Sequence, residues 1–581
     1  MSEGHRARED TDLFDNRPWL DNYSDGVPGD IEIPDTTLDQ LLPEAADRWG
    51  ARPAVDFLGE TTSYAALAAD VERAAAALVE LGVGEGDAVS LVMPNCTSHV
   101  VAFHAVLAVG GVVVEHNPTY STEELRDQFA LAGSSVALVW RNRVADARRA
   151  GEGQLREVVS VDVAEDLPLW ARLLLRLPVA AAREKRDALT GGDEAGASRW
   201  SDLLRDVHPE QHSHGRGPDD TALILFTGGT TGVPKAAAIT HRNLLANALH
   251  GKAWAGFADG AEVVYGMLPF FHAFGMIFCL VLPATIGATL VAFPNFDPAA
   301  VVAAQRRRPA TFLPGVAPMF GRILDRVEAE RRPVDLRSIE LAFSGAMPLG
   351  REVAERWERR TGGLLIEGYG MTEASPIALG NPCSPLRRPG TLGLPFPNTE
   401  IRVVDAESGT DAVARADGVV RGELWIRGPQ VFNGYVGRPD ETAIVLTDGW
   451  LRTGDVVEVD AAGFATLVDR VKEMIVVGGF KVFPSVVEDH LRTMPAIEDV
   501  AVVGLPREGG SDEEVLAVVV PADGAVAPTL AELRAYAADR LPGYAVPRRI
   551  DVVDELPRSM IGKVLRRVAR EEHLARHTAR G

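Results

Sequence analysis

An α/β protein of several domains is predicted by three observations. Helical patterns and short apolar runs alternate from about residue 37 to 380, the texture turns to short β pieces after about 389, and a last segment after Asp469 mixes both. From about 37 to 150 the helical stretches Leu38 to Trp49 and Tyr64 to Leu81 alternate with the apolar runs Ala88 to Met93, Val112 to Glu115 and Val136 to Trp140. That alternation predicts a layered unit with a mainly parallel sheet. A second such unit is expected from about 219 to 380. Between about 389 and 468, Glu400 to Val404 and Gly422 to Ile426 are broken by glycines and read as a small β-rich subdomain. The chain after Asp469 is long enough for a separate α+β domain. The expected division is a large domain over 1–468 and a small one over 469–581.

At 581 residues, with 46% hydrophobic and 24% charged residues, the chain has the composition of an ordinary folded protein. A formal net charge of −23 argues against nucleic acid or an anionic membrane as the main partner, since both select for basic surface; it leaves room for a local basic patch. Cys96, Cys279 and Cys383 are odd in number and far apart, so neither a disulfide framework nor a zinc site is indicated and a reducing cytosol fits best. The first thirty residues lack the apolar core of a signal peptide. Met276 to Phe293 is interrupted by Pro283 and Gly287, which suits buried helix and strand better than a membrane span. Leu167 to Leu177, followed by Arg183, Lys185 and Arg186, reads either as a basic amphipathic helix at a membrane surface or as a surface helix folded onto its own domain. The second reading is preferred.

The chemistry starts at Thr227-Gly228-Gly229-Thr230-Thr231-Gly232-Val233-Pro234-Lys235. Glycines let backbone N–H groups approach anionic oxygens, threonine hydroxyls add donors or a metal ligand, and lysine adds charge, so the loop reads as a phosphate cradle. It follows the apolar run Ala222 to Phe226 and is expected to leave a sheet edge. Pro234 before the lysine and Ala236 after it exclude a Walker A loop. The alternative is a glycine-rich connector between strands.

Four more clusters are distinctive. In Glu367-Gly368-Tyr369-Gly370-Met371-Thr372-Glu373, a tyrosine between glycines offers a flat face for a base and Glu373 a hard oxygen for Mg²⁺. Leu451 to Asp455 ends on a carboxylate able to accept two ribose hydroxyls. Asp469 to Phe480 is a charged hinge candidate, and Ser559 to Arg567 places Lys563 on a turn. Singly, each of these is an ordinary turn or a solvated charge.

Together and in this order, the five motifs resemble the adenylate-forming superfamily of acyl-CoA synthetases, adenylation domains and luciferases, from about residue 37 to 570. Leu268 to Gly275, Ser344 to Leu349 and Val482-Phe483-Pro484 leading to Glu488 extend the match. Phe226 to Gly229, Asn117 to Tyr120, Glu367 to Pro376 with Asn381-Pro382, and Pro389 to Pro395 are most like bacterial long-chain fatty-acid–CoA ligases.

The resemblance implies a large domain of two α/β layers with a β-barrel-like subdomain, plus a small mobile C-terminal domain. It implies ATP, Mg²⁺ and coenzyme A as cofactor and cosubstrates, and a fatty acid as substrate. Thr227, Gly228, Gly229, Thr230, Thr231, Gly232 and Lys235 would hold the β- and γ-phosphates, with Thr230 and Glu373 at the metal. Tyr369 would stack on adenine beside Gly345 and Ala346, while Glu367, Gly368, Gly370, Met371 and Thr372 flank the nucleotide. Asp455 and Arg470 would bind ribose, Lys472 would be the hinge, and Gly478, Gly479 and Phe480 would line the CoA channel. Lys563, with Glu373 and Thr230, would be catalytic, reaching the reacting carboxylate and α-phosphate. His272, Phe274, Met276, Phe343, Gly345 and Met371 would wall the acyl pocket, although a histidine beside phenylalanines also suits a packed core. Ala236 stands where glycine is common, and Met560-Ile561 where small polar residues are usual. An acyl-AMP ligase serving an acyl carrier protein, an aryl-CoA ligase, and an ATP-binding protein or ATP hydrolase are the rivals. The expected location is cytoplasmic with at most peripheral membrane contact, and a homodimer is compatible with the resemblance.

Overall fold

The computed structural model describes residues 14, 16–191, 196–208, 213–227, 234–405, 408–477, 480–507, 513–558 and 564–578. The chain divides into two compact units, one of residues 19–400 with 426–451, the other of 1–18, 401–425 and 452–581.

The larger unit contains two sheets. The first has nine strands, in the order Leu394–Pro395, Ile377–Gly380, Leu364–Gly370, Leu341–Ser344, Phe312–Gly315, Val263–Gly266, Thr289–Ala292, Pro53–Phe57, Glu60–Ser63. Its six central strands are parallel, and their fully buried four-residue runs, such as Thr289–Ala292, need cover on both faces. Tyr265, Phe293, Phe320 and Trp357 form one such core. The second sheet has eight strands: Gly434–Tyr435, Lys235–Thr240, Thr221–Thr227, Val112–Glu115, Ala88–Val92, Val136–Trp140, Glu157–Val161, Ser198–Arg199. Helix His241–Ala255 begins in a capping box between Thr240 and Asn243, with Thr240 as N-cap, and ends at Gly256 in the left-handed region (φ 67°). Pro283 lacks the N–H that would bond the carbonyl of Cys279, and the turn before it, Ile277–Val281, is widened to a π-helix.

In the smaller unit, strands Glu400–Val404, Val420–Arg427 and Trp450–Val459 lie in that order, and Ala465–Arg470 runs antiparallel along Trp450–Val459. Further along the chain, Ile497–Pro506, Glu513–Pro521 and Arg549–Val552 form a three-stranded sheet with helices Pro484–Leu491 and Leu530–Ala537 packed on it through Val487, Leu491 and Leu533.

The Leu-rich segment departs from its preferred reading. Leu169–Leu175 is a helix, but Leu169, Trp170, Leu173 and Leu174 are exposed rather than folded onto the domain. Among the described residues, no helix is long and apolar enough to cross a membrane.

Among the described residues five histidines are buried inside the larger unit, and in four of them burial lowers the pKa, to about 4 for His104, His116 and His241 and to about 3 for His250. Among the described residues, neither ring nitrogen of His250 has a hydrogen-bond partner. These four folded pKa values lie below the unfolded value of about 6.5, so the unfolded chain binds more protons between these limits. Stability is full above pH 6.5 and is lost as the pH falls toward 4. His250→Phe is expected to remove about 2 kcal/mol of the stability lost between pH 7 and pH 5, read from urea unfolding at both values. An unchanged pH difference would count against this role.

Candidate active site

Thr227 ends one strand and pairs with Lys235, which opens the next strand antiparallel to it. The glycine- and threonine-rich stretch is therefore a hairpin connector between two interior strands of the eight-stranded sheet, rather than a loop leaving its edge. Gly228, Gly229, Thr230, Thr231 and Gly232 lie outside the described residues, as do Gly478, Gly479 and Lys563.

Around Lys235 the structure assembles a polar cluster that sequence reasoning missed. The Lys235 Nζ sits 2.6 Å from Glu441 Oε2 and 4.9 Å above the centre of the Tyr435 ring. The Tyr435 hydroxyl donates to Glu373 Oε1 at 2.7 Å. Burial first, and then the Glu373 charge, push the Tyr435 hydroxyl well above its ordinary pKa, so it remains a donor. Hydrogen bonds from Lys235 and then Arg438 hold the Glu441 carboxyl below the usual range. Tyr435 is placed by short-strand pairing with Ala237 and by its own N–H, which donates to Thr442 Oγ1 at 2.9 Å. Ala236, where a glycine is common, is fully buried against Val112, Val114 and Ile224, so its methyl group contributes to the core under the hairpin.

Glu373 is buried in the short turn Thr372–Ala374. The Asn247 amide, from helix His241–Ala255, fixes that turn by donating to the carbonyls of Ala374 at 3.2 Å and Ile377 at 2.8 Å. Tyr435→Phe keeps the ring under Lys235 and removes only the donor to Glu373. A hydrogen bond to a charged group is worth about 1.5–3 kcal/mol, so kcat/KM for ATP is expected to fall about ten- to a hundredfold. An unchanged value would show that Glu373 is held without it.

Parallel pairing brings together several of the residues expected to flank a nucleotide. Ser344 is in register with Glu367, which sets Gly345 and Ala346 beside Gly368 and Tyr369. Ala346 adopts φ 65°, a left-handed conformation that costs a non-glycine residue about 1–2 kcal/mol. A Cβ on Gly368 would meet the Phe343 ring at 1.9 Å, so only glycine allows this approach. Glu367 is occupied structurally: its Oε2 accepts from Gly390 N at 2.7 Å, and burial raises its pKa. Gly370 is exposed, while Met371 and Thr372 are half-buried.

Behind this strand pair lies a narrow apolar cavity. The rings of Phe274, Phe278 and Phe343 stand 5.4–5.9 Å apart, and Phe278 continues to Phe312 at 5.3 Å. Gly251, Trp254, Phe257 and Cys383 complete much of the cavity wall with Phe278, Phe312 and Phe343. Of the anticipated acyl-pocket residues only Phe343 lines it. Phe274 is half-buried against Phe343, Met276 is fully buried, and His272 is exposed beside Phe271 instead of packed in a core. The wall is missed from the sequence because it is drawn from a helix, a π turn and several strands.

In the smaller unit Asp455 and Arg470 are cross-strand partners, with Arg470 Nε 3.0 Å from Asp455 Oδ1. Asp455 is buried. The buried Glu423, another residue not anticipated, ties down the strand just before Asp455 by accepting from Gly454 N at 3.2 Å, and also accepts from Trp425 Nε1 at 3.0 Å. Lys472 lies in the turn Val471–Glu473, and Phe480 is exposed and stacked on Tyr544 at 4.7 Å.

Residues 42–436 match the family described as AMP-binding enzyme, and 486–563 match its C-terminal domain. The chain belongs to the AMP-binding enzyme family. Among relatives of this family, the long-chain-fatty-acid–CoA ligase of Bacillus subtilis is 33% identical over 565 residues, 97% of this chain and 99% of the relative. The enzyme of the same name from Yersinia pestis is 35% identical over 568 residues, 96% of this chain and 98% of that one. ATP-bound MatB from Rhodopseudomonas palustris superposes with a TM-score of 0.74 at 27% identity, covering 93% of this chain and 99% of that one. Mixed α/β architecture in an AMP-binding enzyme thus accords with the fold class expected from the alternation of strands and helices.

Proposed function

We propose that this AMP-binding enzyme is an ATP-dependent fatty-acid–CoA ligase that forms an acyl-AMP with release of pyrophosphate and then the CoA thioester. The observation that carries the reading is the aromatic, almost wholly apolar cavity packed against the strand that bears Gly368 and Tyr369. An alkyl tail needs a wall of this kind, and the names of the full-length relatives support the same substrate class.

In this reading Thr227 to Lys235 holds the departing pyrophosphate, and Lys235 exchanges its Glu441 partner for phosphate oxygens. Tyr369 stacks on the base beside Gly345 and Ala346, and Asp455 and Arg470 bind the ribose. Lys563 neutralises charge as the fatty carboxylate attacks the α-phosphate, a step opposed by repulsion between two anions. The donors suit Mg²⁺: Glu373 offers a hard carboxylate oxygen oriented by Tyr435, and a cation of this kind is commonly held by one or two carboxylates together with substrate phosphates. Bound there with Thr230, it would supply Lewis-acid charge at the phosphates. We place the domain division at 468/469, with Lys472 as hinge and Gly478, Gly479 and Phe480 along the path of the thiol.

The test is pyrophosphate exchange against fatty, aromatic and amino acids, repeated for thioester product with CoA. AMP and pyrophosphate with fatty acids support the reading; ADP and phosphate would refute it. Gly251→Leu probes the tail site. A Cβ there meets only Phe278 Cε1 at an ordinary 3.6 Å, and leucine is the better helix former by about 0.8 kcal/mol; a melting temperature near wild type is the check that the larger side chain is accommodated. The added side chain fills the cavity, and preference is expected to move to shorter acids with little loss on the shortest. An unchanged chain-length profile would place the tail elsewhere.

A further inference from the structure

The structure assigns the helix Leu169–Leu175 and the turn after it as a docking surface for an anionic lipid bilayer. Leu169, Trp170, Leu173, Leu174 and Leu177 recur at helical spacing on one face, a stripe that in a soluble helix faces a core. Here the stripe is turned outward. Leu169 is 68% exposed, Trp170 63%, Leu173 53%, Leu174 50% and Leu177 46%, and Val179 beyond Pro178 is 52% exposed. Scattered apolar side chains are normal on a surface, but six within eleven residues form a contiguous patch.

The helix is held in this attitude from its flanks. Leu167 and Pro168 are buried at its base, and Asp166 accepts from Ser98 N and Ser98 Oγ, both at 2.8 Å. The following helix, Ala180–Thr190, is tied down by Trp140 Nε1 donating to the Leu189 carbonyl at 2.8 Å and by Asn142 Nδ2 donating to the Ala188 carbonyl at 2.8 Å. The leucines are therefore presented by a fixed frame.

Charge selects the occupant. Arg172, Arg176, Arg183, Lys185 and Arg186 accompany the patch against only Glu184 and Asp187, in a chain whose net charge is −23. A basic rim around a Leu and Trp face is the pattern of helices that lie in the headgroup boundary, and such cations attract acidic lipids. A second copy of the chain would instead set this basic patch against itself. The assignment stands apart from the fatty-acid reading, although a substrate that partitions into lipid would reach an enzyme docked this way.

The full chain is sedimented with vesicles of phosphatidylglycerol and phosphatidylcholine, with pure phosphatidylcholine vesicles as control. Wild type should bind the anionic vesicles, weakly the neutral ones, and less as salt is raised. The Arg172→Glu/Arg176→Glu protein should bind about thirtyfold more weakly or worse, and Leu173→Glu/Leu174→Glu should abolish binding. Melting curves and thioester formation with a short soluble acid should match wild type for both variants. Wild type left in the supernatant, or variants binding as wild type does, would overturn the assignment. So would a dimer in sedimentation velocity that Leu173→Glu/Leu174→Glu dissolves while vesicle binding is absent, which would make a second copy the occupant.

Discussion

Glu373→Gln is expected to lower acyl-AMP formation by about 10²–10³-fold, the range for removing one electrostatic stabiliser from a preorganised site. Glutamine keeps the volume and an oxygen that can accept from Tyr435, so the turn Thr372–Ala374 and its ties to Asn247 should persist. What is lost is the charge of a buried carboxylate. Two readouts separate this from a folding defect. The Mg²⁺ concentration giving half-maximal activity should rise, and the melting temperature should stay near wild type. Glu373→Ala should be worse, because it also leaves the buried Tyr435 hydroxyl without its acceptor, a cost of about 1–3 kcal/mol. An ordinary Mg²⁺ dependence in Glu373→Gln, with activity retained, would remove Glu373 from the metal site.

Much of this architecture was legible because it is written in short range. The run Val136 to Trp140 and the helical pattern Tyr64 to Leu81 carry their own periodicity, and the strand Val136–Trp140 and the helix Tyr64–Glu80 follow them closely. Cross-strand geometry was another matter. That Asp455 faces Arg470 follows from a hairpin register that no local pattern announces. Tyr435 and Glu441 stand about two hundred residues from Lys235, and nothing local marks Gly434–Tyr435 as the partner of Lys235–Thr240. The cavity wall was hidden for the same reason. Phe257, Phe312 and Cys383 look like any core residues, and only the packing of helix on sheet leaves space among them. The Leu169 stripe failed differently: its periodicity is real, but periodicity cannot say whether a face meets protein or solvent.

Lys563→Ala is expected to reduce acyl-AMP formation by at least about 10³-fold while leaving thioester formation from supplied acyl-AMP within a few-fold of wild type. The split follows from charge. Attack of a carboxylate on an α-phosphate brings two anions together and needs a cation, whereas attack of a thiolate on the mixed anhydride has a good leaving group already in place. Lys563 itself lies outside the described residues, which resume at Val564. On either side of that stretch, Arg558 and Val564 form a β-bridge, and Leu565 N donates to the Pro557 carbonyl at 2.8 Å. Arg566 then anchors the following helix, bonding both oxygens of the buried Glu488 at 2.8 and 2.7 Å and pairing with Glu473. Arg566→Ala is the informative contrast. It removes the two short bonds to Glu488, which keeps the Val502 N–H at 2.8 Å and Arg492 at 3.5 Å, a loss of about 1.5–3 kcal/mol, and should impair both half-reactions together with stability. Equal loss of both half-reactions in Lys563→Ala, at unchanged melting temperature, would instead make the lysine a shared element of one site and contradict a scheme in which it serves adenylation alone.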